Sequence, residues 1–298
     1  MKLKSTLLVV AGMSVACAWA VEEGKNTYPR TSIDPALGVW GDRGFSNTIQ
    51  YWGTEEVLDN HLYLLDEPDN VWKLNHKQKD GDRVDMHPGH IGIDEGKELL
   101  EVLNSKNPEF GACLSEGKDS LEGLAAAYPD YDEELGRIMT VEGRIEQCSR
   151  VTLPKEIKQG SSDNTTLALY FKSLSAGKPI KVDLSSRPVE QAYQRGEDLF
   201  YKRIGQLNFA CASCHTPGGV MGHKLRGEVP TTPFGDVAHY PTYRTPVGEL
   251  ESLHKRFMRC HKQMRAKPLP PGAPAYVDLE VFMSVLSNGY PVSVPSLR

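Results

Sequence analysis

Cys211-Ala212-Ser213-Cys214-His215 is the stretch of this 298-residue chain that decides its fold. Two cysteines separated by two residues, with a histidine directly after the second, are the attachment signature of a c-type haem. Each thiol can form a thioether with one vinyl group of the porphyrin, and His215 can then bind the iron as the proximal axial ligand. A Cys-x-x-Cys pair alone can also be a redox dithiol or half of a zinc site. The adjacent histidine favours haem, and we predict one covalently attached haem c.

The first twenty residues have the pattern of a secretory signal peptide, which predicts a periplasmic protein. Lys2 and Lys4 precede an apolar run, and Ala18-Trp19-Ala20 is a small-residue cleavage pattern. Later runs fall short of the ~20 apolar residues that span a bilayer, so no membrane span is expected. Covalent haem attachment and disulfide formation both suit the bacterial periplasm.

Charge is distributed unevenly along the chain. Residues 21–185 contain 18 Lys and Arg against 30 Asp and Glu (net −12), whereas residues 186–298 contain 14 against 9 (net +5). Such asymmetry suggests different roles for the two halves, although an ordinary acidic, solvated surface would also explain the first. The whole chain has a net charge of −5, and no nucleic-acid partner is expected.

An internal repeat predicts two similar modules. Leu174-Ser175-Ala176-Gly177-Lys178-Pro179 parallels Leu286-Ser287-Asn288-Gly289-Tyr290-Pro291, and Gly96–Leu100 resembles Gly196–Phe200. The segments Leu174–Pro179 and Leu286–Pro291 each have the pattern of an apolar helix that ends at a glycine, with a proline shortly after it. We therefore predict a mainly α fold with two cytochrome c-like modules in tandem, the first without haem. The predicted divisions are a signal peptide (1–20), an irregular N-terminal arm (21–50), a degenerate haem-less module (51–185) and a haem-binding catalytic module (186–298).

The first module retains only part of the haem motif. Phe110-Gly111-Ala112-Cys113-Leu114 aligns with the motif at a shift of 101 residues, so the first cysteine and the histidine are missing. At a shift of 112 residues, Cys148 aligns with Cys260. This module cannot attach a haem in the usual way, and its two remaining thiols would lie in an oxidising compartment. We therefore predict a disulfide between Cys113 and Cys148.

Cys260 is the odd cysteine left once the signal peptide, the haem thioethers and this disulfide are accounted for. It is our favoured distal ligand of the haem iron, where a thiolate would give a low potential because the axial ligand sets that potential. Electron-carrying cytochromes commonly use methionine at this position, and histidine is a further possibility. The alternative ligands downstream of the motif are Met221, His223, His239, Met258, His261 and Met264.

A basic run surrounds Cys260. Residues 254–265 contain five Lys and Arg and no carboxylate, which fits either a solvated helix face or an anion site around a nucleophilic sulfur. Arg256 lies four residues before Cys260 and therefore on the same face of a helix. Its planar guanidinium can bind an oxyanion through two hydrogen bonds, and nearby cations lower the pKa of a thiol.

Several motifs of the second module together resemble SoxA, the larger cytochrome subunit of the periplasmic SoxAX complex of thiosulfate oxidation. The resemblance is dense over residues 190–298 and looser over residues 50–185, and Phe110 and Leu114 indicate the single-haem type. These motifs are Gly205–His215, Leu225–Glu228, Tyr240–Arg244, Ser252–Cys260 and Arg265-Ala266.

The resemblance implies an L-cysteine S-thiosulfotransferase. Such an enzyme joins thiosulfate oxidatively to a cysteine of the carrier protein SoxYZ, and two electrons leave through haem. In the family, the cysteine matching Cys260 is the distal haem ligand and the active-site sulfur, often found as a persulfide, and the arginine matching Arg256 binds substrate. A small monohaem cytochrome, SoxX, completes a heterodimer. Arg226, Arg244 and Lys255 are candidates for contacts with haem propionates or the carrier, alongside structural or surface roles.

Three other functions stay open at this point. A thiosulfate dehydrogenase would make tetrathionate without a carrier, and it too can use His and Cys haem ligands. A plain electron-transfer cytochrome would use a methionine ligand and would tolerate loss of Cys260. A binding module would hold the haem as structural filler and show no haem reduction linked to turnover.

Overall fold

The computed structural model describes residues 88–215, Pro230, Pro233 and residues 235–297. The predicted signal peptide, the N-terminal arm and residues 51–87 of the first module lie outside the described residues. We call residues 88–185 module one and residues 186–297 module two.

Module one consists of helices and one short β-hairpin. Its strands pair antiparallel, with Asp130 opposite Met139. The elements in chain order are α1 (Pro88–Lys106), α2 (Pro108–Leu114), a 3-10 helix (Leu124–Ala127), β1 (Asp130–Asp132), β2 (Arg137–Met139), α3 (Val141–Thr152) and α4 (Ser162–Ser173).

Module two repeats this order of elements. Its hairpin is also antiparallel, with Thr242 opposite Glu251. The elements are α5 (Arg187–Tyr201), α6 (Ala212–His215), a 3-10 helix (Asp236–His239), β3 (Thr242–Arg244), β4 (Glu249–Glu251), α7 (Leu253–Gln263) and α8 (Pro274–Leu286).

The repeat is in register from the 3-10 helix onward. In module two the 3-10 helix, both strands and the last two helices each begin 112 residues after their counterparts in module one. The described part of the chain is mostly helical and contains two such modules, which confirms the predicted fold class.

Equivalent N-caps start α3 and α7, the helices that carry Cys148 and Cys260. Thr140 precedes α3, and its side chain accepts a hydrogen bond from the backbone N–H of Gly143. Ser252 precedes α7 and accepts from the N–H of Lys255 in the same way. Each hydroxyl satisfies a helix N–H that has no partner within the helix, so both helices begin at a defined residue.

The two modules pack as one body around two hydrophobic cores. Phe110 and Ile145 are fully buried in the core of module one. Phe200 and Phe282 lie in the core of module two, which also includes Leu169 from α4. Burial of such side chains is the main favourable term in folding, and here it also fixes the second module against the first.

The repeated segments that follow α4 and α8 pair with each other. The N–H of Gly177 donates to Val292 O at 2.8 Å, and the N–H of Ile180 donates to Tyr290 O at 2.9 Å. The N–H of Gly289 returns a bond to Ile180 O at 2.8 Å. The glycine–proline stop segments detected in the sequence therefore join the modules as well as ending the helices.

The predicted disulfide is present in module one. Cys113 of α2 and Cys148 of α3 are bonded, with their Cα atoms 5.6 Å apart. Cys148 is fully buried. The bond ties α2 to α3, and both helices contribute buried side chains to the core of module one.

Among residues 88–215 and 235–297, we find no helix of the length and apolar character needed to cross a bilayer.

Candidate functional site

The haem-attachment motif of module two forms a tight helical turn at α6. The N–H groups of Cys214 and His215 both donate to Cys211 O, at 3.0 and 3.1 Å. The hydroxyl of Ser213 accepts from the N–H of Ala210 at 3.0 Å, which caps the turn. This compact turn keeps the two thiols and the imidazole close together, as two thioethers and one iron ligand require.

Helix α7 carries the second half of the predicted site. The N–H of Arg256 donates to Ser252 O at 3.1 Å, and Cys260 O accepts from the N–H of Met264 at 3.0 Å, so the helix is regular through both residues. Arg256 and Cys260 are four residues apart, and they follow one another on the same helix face.

A cavity of about 300 Å³ joins these two elements. Its walls include the five residues predicted to attach the haem, ligate its iron or bind substrate: Cys211, Cys214, His215, Arg256 and Cys260. The remaining lining is largely apolar and aromatic, and comes from several elements of module two. It includes Phe200, Leu207, Phe209, Leu253, Phe257, Leu279 and Met283.

Burial and neighbouring groups raise the pKa of both thiols of the attachment motif. Burial, with the neighbouring Cys260 and Cys214 adding to it, raises the pKa of Cys211 to about 12. Burial and Cys260 also raise the pKa of Cys214, whereas the guanidinium of Arg256 acts in the opposite direction. Such coupling requires proximity, so Cys260 and Arg256 lie within electrostatic range of the attachment motif.

These residues fit a c-type haem. Two thiols on one turn can form the two thioethers, His215 beside them can bind iron, and a further thiol faces the same apolar cavity. The aromatic and aliphatic walls suit a porphyrin face, which needs apolar contact and exclusion of water.

Two of the alternative distal ligands line the cavity, whereas His239 and Met258 are not among its lining residues. Met264 and His261 line the cavity along with Cys260. A thioether and an imidazole are therefore also available as distal ligands in this cavity. His261 Nδ1 lies 3.2 Å from the hydroxyl of Tyr276, and burial lowers the pKa of His261. His239 is buried with its Nε2 3.4 Å from the hydroxyl of Tyr290. Met221, His223 and Arg226 lie outside the described residues.

Two buried acids of the site had no sequence-based prediction. Asp236, at the start of the 3-10 helix, lines the cavity. Glu251 is fully buried, with Oε2 3.3 Å from Arg244 Nε and Oε1 2.5 Å from Arg259 Nε. Single acidic residues in short elements carry no periodic signal, and a comparison of the two modules position by position is what would have singled out Glu251.

Of the three basic residues that are candidates for contacts with haem propionates or the carrier, Arg244 is part of the site. It is 5% exposed and lines the cavity. Lys255 is partly buried on α7 and is not among the lining residues of the cavity.

Comparison with known proteins decides the family. The model of the SoxA/TsdA cytochrome c domain matches residues 95–180 and 195–292. The chain belongs to this family. The two matched segments correspond to the two modules, and the match confirms the resemblance drawn from the motifs. Membership in a cytochrome c family also gives haem c as the cofactor.

The SoxA relatives and a solved structure agree with this assignment. The L-cysteine S-thiosulfotransferase subunit SoxA of Chlorobaculum thiosulfatiphilum is 31% identical over 244 residues, covering 82% of this chain and 80% of the relative. The same subunit of Rhodovulum sulfidophilum is 33% identical over 188 residues, covering 62% and 63%. The crystal structure of SoxXA from P. pantotrophus superposes with a TM-score of 0.61 at 22% identity, covering 71% of this chain and 79% of that chain, and it shows a shared fold.

Proposed function

We propose that this chain is the SoxA subunit of a periplasmic L-cysteine S-thiosulfotransferase, which oxidatively joins thiosulfate to a cysteine of a SoxYZ-type carrier. The observation that carries the proposal is the pairing of Arg256 and Cys260. One helical turn apart, they line the same cavity as the haem-attachment motif. Relatives of about 30% identity named as this subunit support it.

The proposal includes a single haem, attached through Cys211 and Cys214, with His215 as proximal and Cys260 as distal ligand. In module one, the positions equivalent to Cys211 and His215 are taken by Phe110 and Leu114, both buried in the core. Cys113 is committed to the disulfide. When bound, haem supplies a one-electron acceptor that passes electrons onward.

The residues of the chain divide the remaining work. The Arg256 guanidinium holds the sulfonate oxygens of thiosulfate by charge-assisted hydrogen bonds. Cys260 offers a sulfur within the same cavity for the exchange of sulfur–sulfur bonds. The apolar walls limit water around the reacting sulfurs. In the net reaction the carrier thiol loses its proton, one sulfur–sulfur bond forms between carrier and thiosulfate, and two electrons leave.

A SoxX-type small monohaem cytochrome is the proposed partner in a heterodimer, and it receives the electrons. The fold shared with a chain of the SoxXA crystal structure supports this partner. The signal-peptide pattern of residues 1–20 supports export to the periplasm.

The test uses the haem-loaded chain purified with its partner cytochrome, a SoxYZ-type carrier and thiosulfate. Mass spectrometry should detect the carrier with an added thiosulfonate group, together with haem reduction. Cys260→Ser should abolish both, and Arg256→Gln should lower kcat/KM by about 10- to 100-fold, the size expected for a lost charge-assisted hydrogen bond. Lys262→Gln is the matched control, because Lys262 is an exposed cation of the same helix.

A second candidate is thiosulfate dehydrogenase, since the matching family model covers SoxA and TsdA together. It predicts tetrathionate from thiosulfate alone, with no dependence on the carrier. Tetrathionate formation at full rate without carrier would therefore replace the proposed activity with this one.

Spectroscopy of the ferric protein tests the distal ligand separately. Electron paramagnetic resonance should show thiolate ligation in the wild type and in Met264→Leu, and lose it in Cys260→Ser. A thioether signature in the wild type that disappears in Met264→Leu would assign the ligand to Met264 and would favour a plain electron-transfer cytochrome.

A further inference from the structure

The repeat allows the substrate-binding arginine to be compared with its counterpart in the module that lacks the haem motif. Arg144 of α3 occupies the position of Arg256 in α7. Its Nη2 lies 2.7 Å from Asp132 Oδ2 and 3.4 Å from Glu116 Oε1. Its Nε donates to the hydroxyl of Tyr128 at 3.2 Å. In module one the guanidinium is thus occupied by two carboxylates and a phenol of its own chain.

Module two reverses the sign of the charge opposite this position. Asp132 is the last residue of β1, and the last residue of the matching strand β3 is Arg244. Arg244 and Arg256 both line the cavity that contains Cys260. The acid that holds Arg144 inside module one is therefore replaced by a second cation in the module that has the site.

A second change accompanies this one and keeps Arg244 in place. Glu251 of β4 occupies the position of Met139, and its Oε2 lies 3.3 Å from Arg244 Nε. Glu251 also binds Arg259, so one fully buried carboxylate serves two guanidinium groups. A buried arginine requires a counter-charge, and this arrangement supplies one from outside the cavity wall. Arg244 is thereby fixed before any ligand arrives.

We infer that Arg244 is a second oxyanion-binding residue of the cavity and acts together with Arg256. The inference rests on the proposed function and extends it to a two-arginine site. The described lining holds one carboxylate, Asp236, against these two arginines, which favours an anionic ligand. The oxyanion is either the sulfonate end of thiosulfate or a carboxylate of the covalently bound porphyrin, and these two sources respond differently in one experiment.

The experiment compares the haem-loaded complex with its partner in four forms: wild type, Arg244→Gln, the double variant Arg244→Gln/Glu251→Gln, and Arg259→Gln. Thiosulfate is titrated calorimetrically without carrier, and the haem midpoint potential is measured on each form. The double variant removes both buried charges, so it remains informative if Arg244→Gln alone fails to fold. Arg259→Gln removes the other guanidinium bound to Glu251 and leaves the cavity lining intact.

If Arg244 binds the sulfonate, Arg244→Gln and the double variant should each weaken thiosulfate binding about 10- to 100-fold, while Arg259→Gln retains it. If Arg244 binds a porphyrin carboxylate, the thiosulfate Kd stays the same and the midpoint potential shifts in both variants lacking Arg244. Unchanged Kd and potential overturn the inference, as does wild-type behaviour of the double variant, because Arg244 would then serve only to neutralise Glu251.

Failure of the proposed function gives a different result. A wild-type complex that neither binds thiosulfate nor modifies the carrier contradicts that function, and the midpoint potential alone then decides the role of Arg244. If Arg256→Gln loses thiosulfate binding while Arg244→Gln retains both Kd and potential, the proposed function stands and the two-arginine site is wrong.

Discussion

Gly196 of α5 packs directly against the backbone carbonyl of Asp278 in α8. A Cβ added at Gly196 would lie 2.0 Å from Asp278 O and 2.8 Å from Phe282 Cβ. The same contact exists in module one, where a Cβ at Gly96 would lie 2.5 Å from Thr166 O. In each module the first helix can approach the last one closely because a glycine lies at the contact.

Gly196→Ala should therefore destabilise module two. The obstacle is a backbone oxygen that no side-chain rotation can move, so we expect a loss of about 1–3 kcal/mol in the free energy of unfolding, typical of overpacking. Chemical denaturation followed by circular dichroism measures it. Gln194→Ala, at an exposed position of α5, should change this free energy by less than about 0.5 kcal/mol. Equal stability of the two variants would contradict the close contact.

The disulfide of module one should contribute measurably to stability. Cys113 and Cys148 are 35 residues apart in the chain. Closing a loop of this length stabilises the folded state by about 3–4 kcal/mol in the chain-entropy model. Replacing both cysteines by alanine should lower the free energy of unfolding by about this amount and leave the haem absorption spectrum intact. Two reactive thiols at these positions in the unreduced wild type would show that the bond does not form.

The ion pair between Asp132 and Arg144 should make stability depend on acid pH. Partial burial tends to raise the pKa of Asp132, but hydrogen bonds from Leu135 N–H and Arg144, with the charge of Arg144, hold that pKa below its usual range. A carboxyl with a depressed folded pKa contributes stability above its unfolded pKa of about 3.9, and the contribution is lost as pH falls through the folded pKa.

Asp132→Asn should accordingly flatten the loss of unfolding free energy between about pH 5 and pH 3. Urea denaturation across this range measures the effect against the wild type. Asp119→Asn, at an exposed position, serves as control and should follow the wild-type curve. An Asp132→Asn curve parallel to the wild type would mean that the pair contributes nothing.

A buried acid between the modules should show the opposite pH dependence. Glu142 is 5% exposed, and burial raises its pKa against the opposing charge of Lys172. His254 and Glu280 of module two, whose Nε2 and Oε2 are 3.0 Å apart, also act on it. A raised folded pKa contributes stability that is present below the unfolded pKa of about 4.3 and lost as pH rises.

Glu142→Gln should remove this loss. The free energy of unfolding of the variant should therefore increase relative to that of the wild type as the pH rises above about 4.3. The comparison uses denaturation at several pH values, with Glu134→Gln at an exposed position as control. A variant that loses stability relative to the wild type as the pH rises would instead indicate that the ionised carboxylate is needed between the modules.

Intact mass analysis of the purified protein tests the chemistry of all cysteines together, along with the proposed removal of the signal peptide. We expect a chain starting after Ala20, with one haem added and two hydrogens fewer for the disulfide. Extra sulfur, if present, should disappear in Cys260→Ser. Replacing Cys211 and Cys214 by alanine should remove the haem mass. A second haem would contradict the assignment of module one.

The sequence alone determined the features that depend on local patterns. Cys-x-x-Cys-His predicts haem attachment because the spacing itself sets the geometry of two thioethers and one ligand. The glycine–proline stops revealed the repeat, and the repeat predicted the Cys113–Cys148 bond. Arg256 and Cys260 were predicted to share a face because a helix imposes that periodicity.

The tertiary structure decided which distant residues share a cavity and which charges compensate one another. Met264 and His261 line the same cavity as Cys260. The spacing of these residues in the sequence could not show that they share it. The ion pair between Arg244 and Glu251 forms because β3 pairs with β4. The contact of Glu251 with Arg259 brings this hairpin to α7. The reason is physical: helix periodicity and motif spacing act over a few residues, whereas burial and electrostatic pairing depend on contacts between segments far apart in the chain.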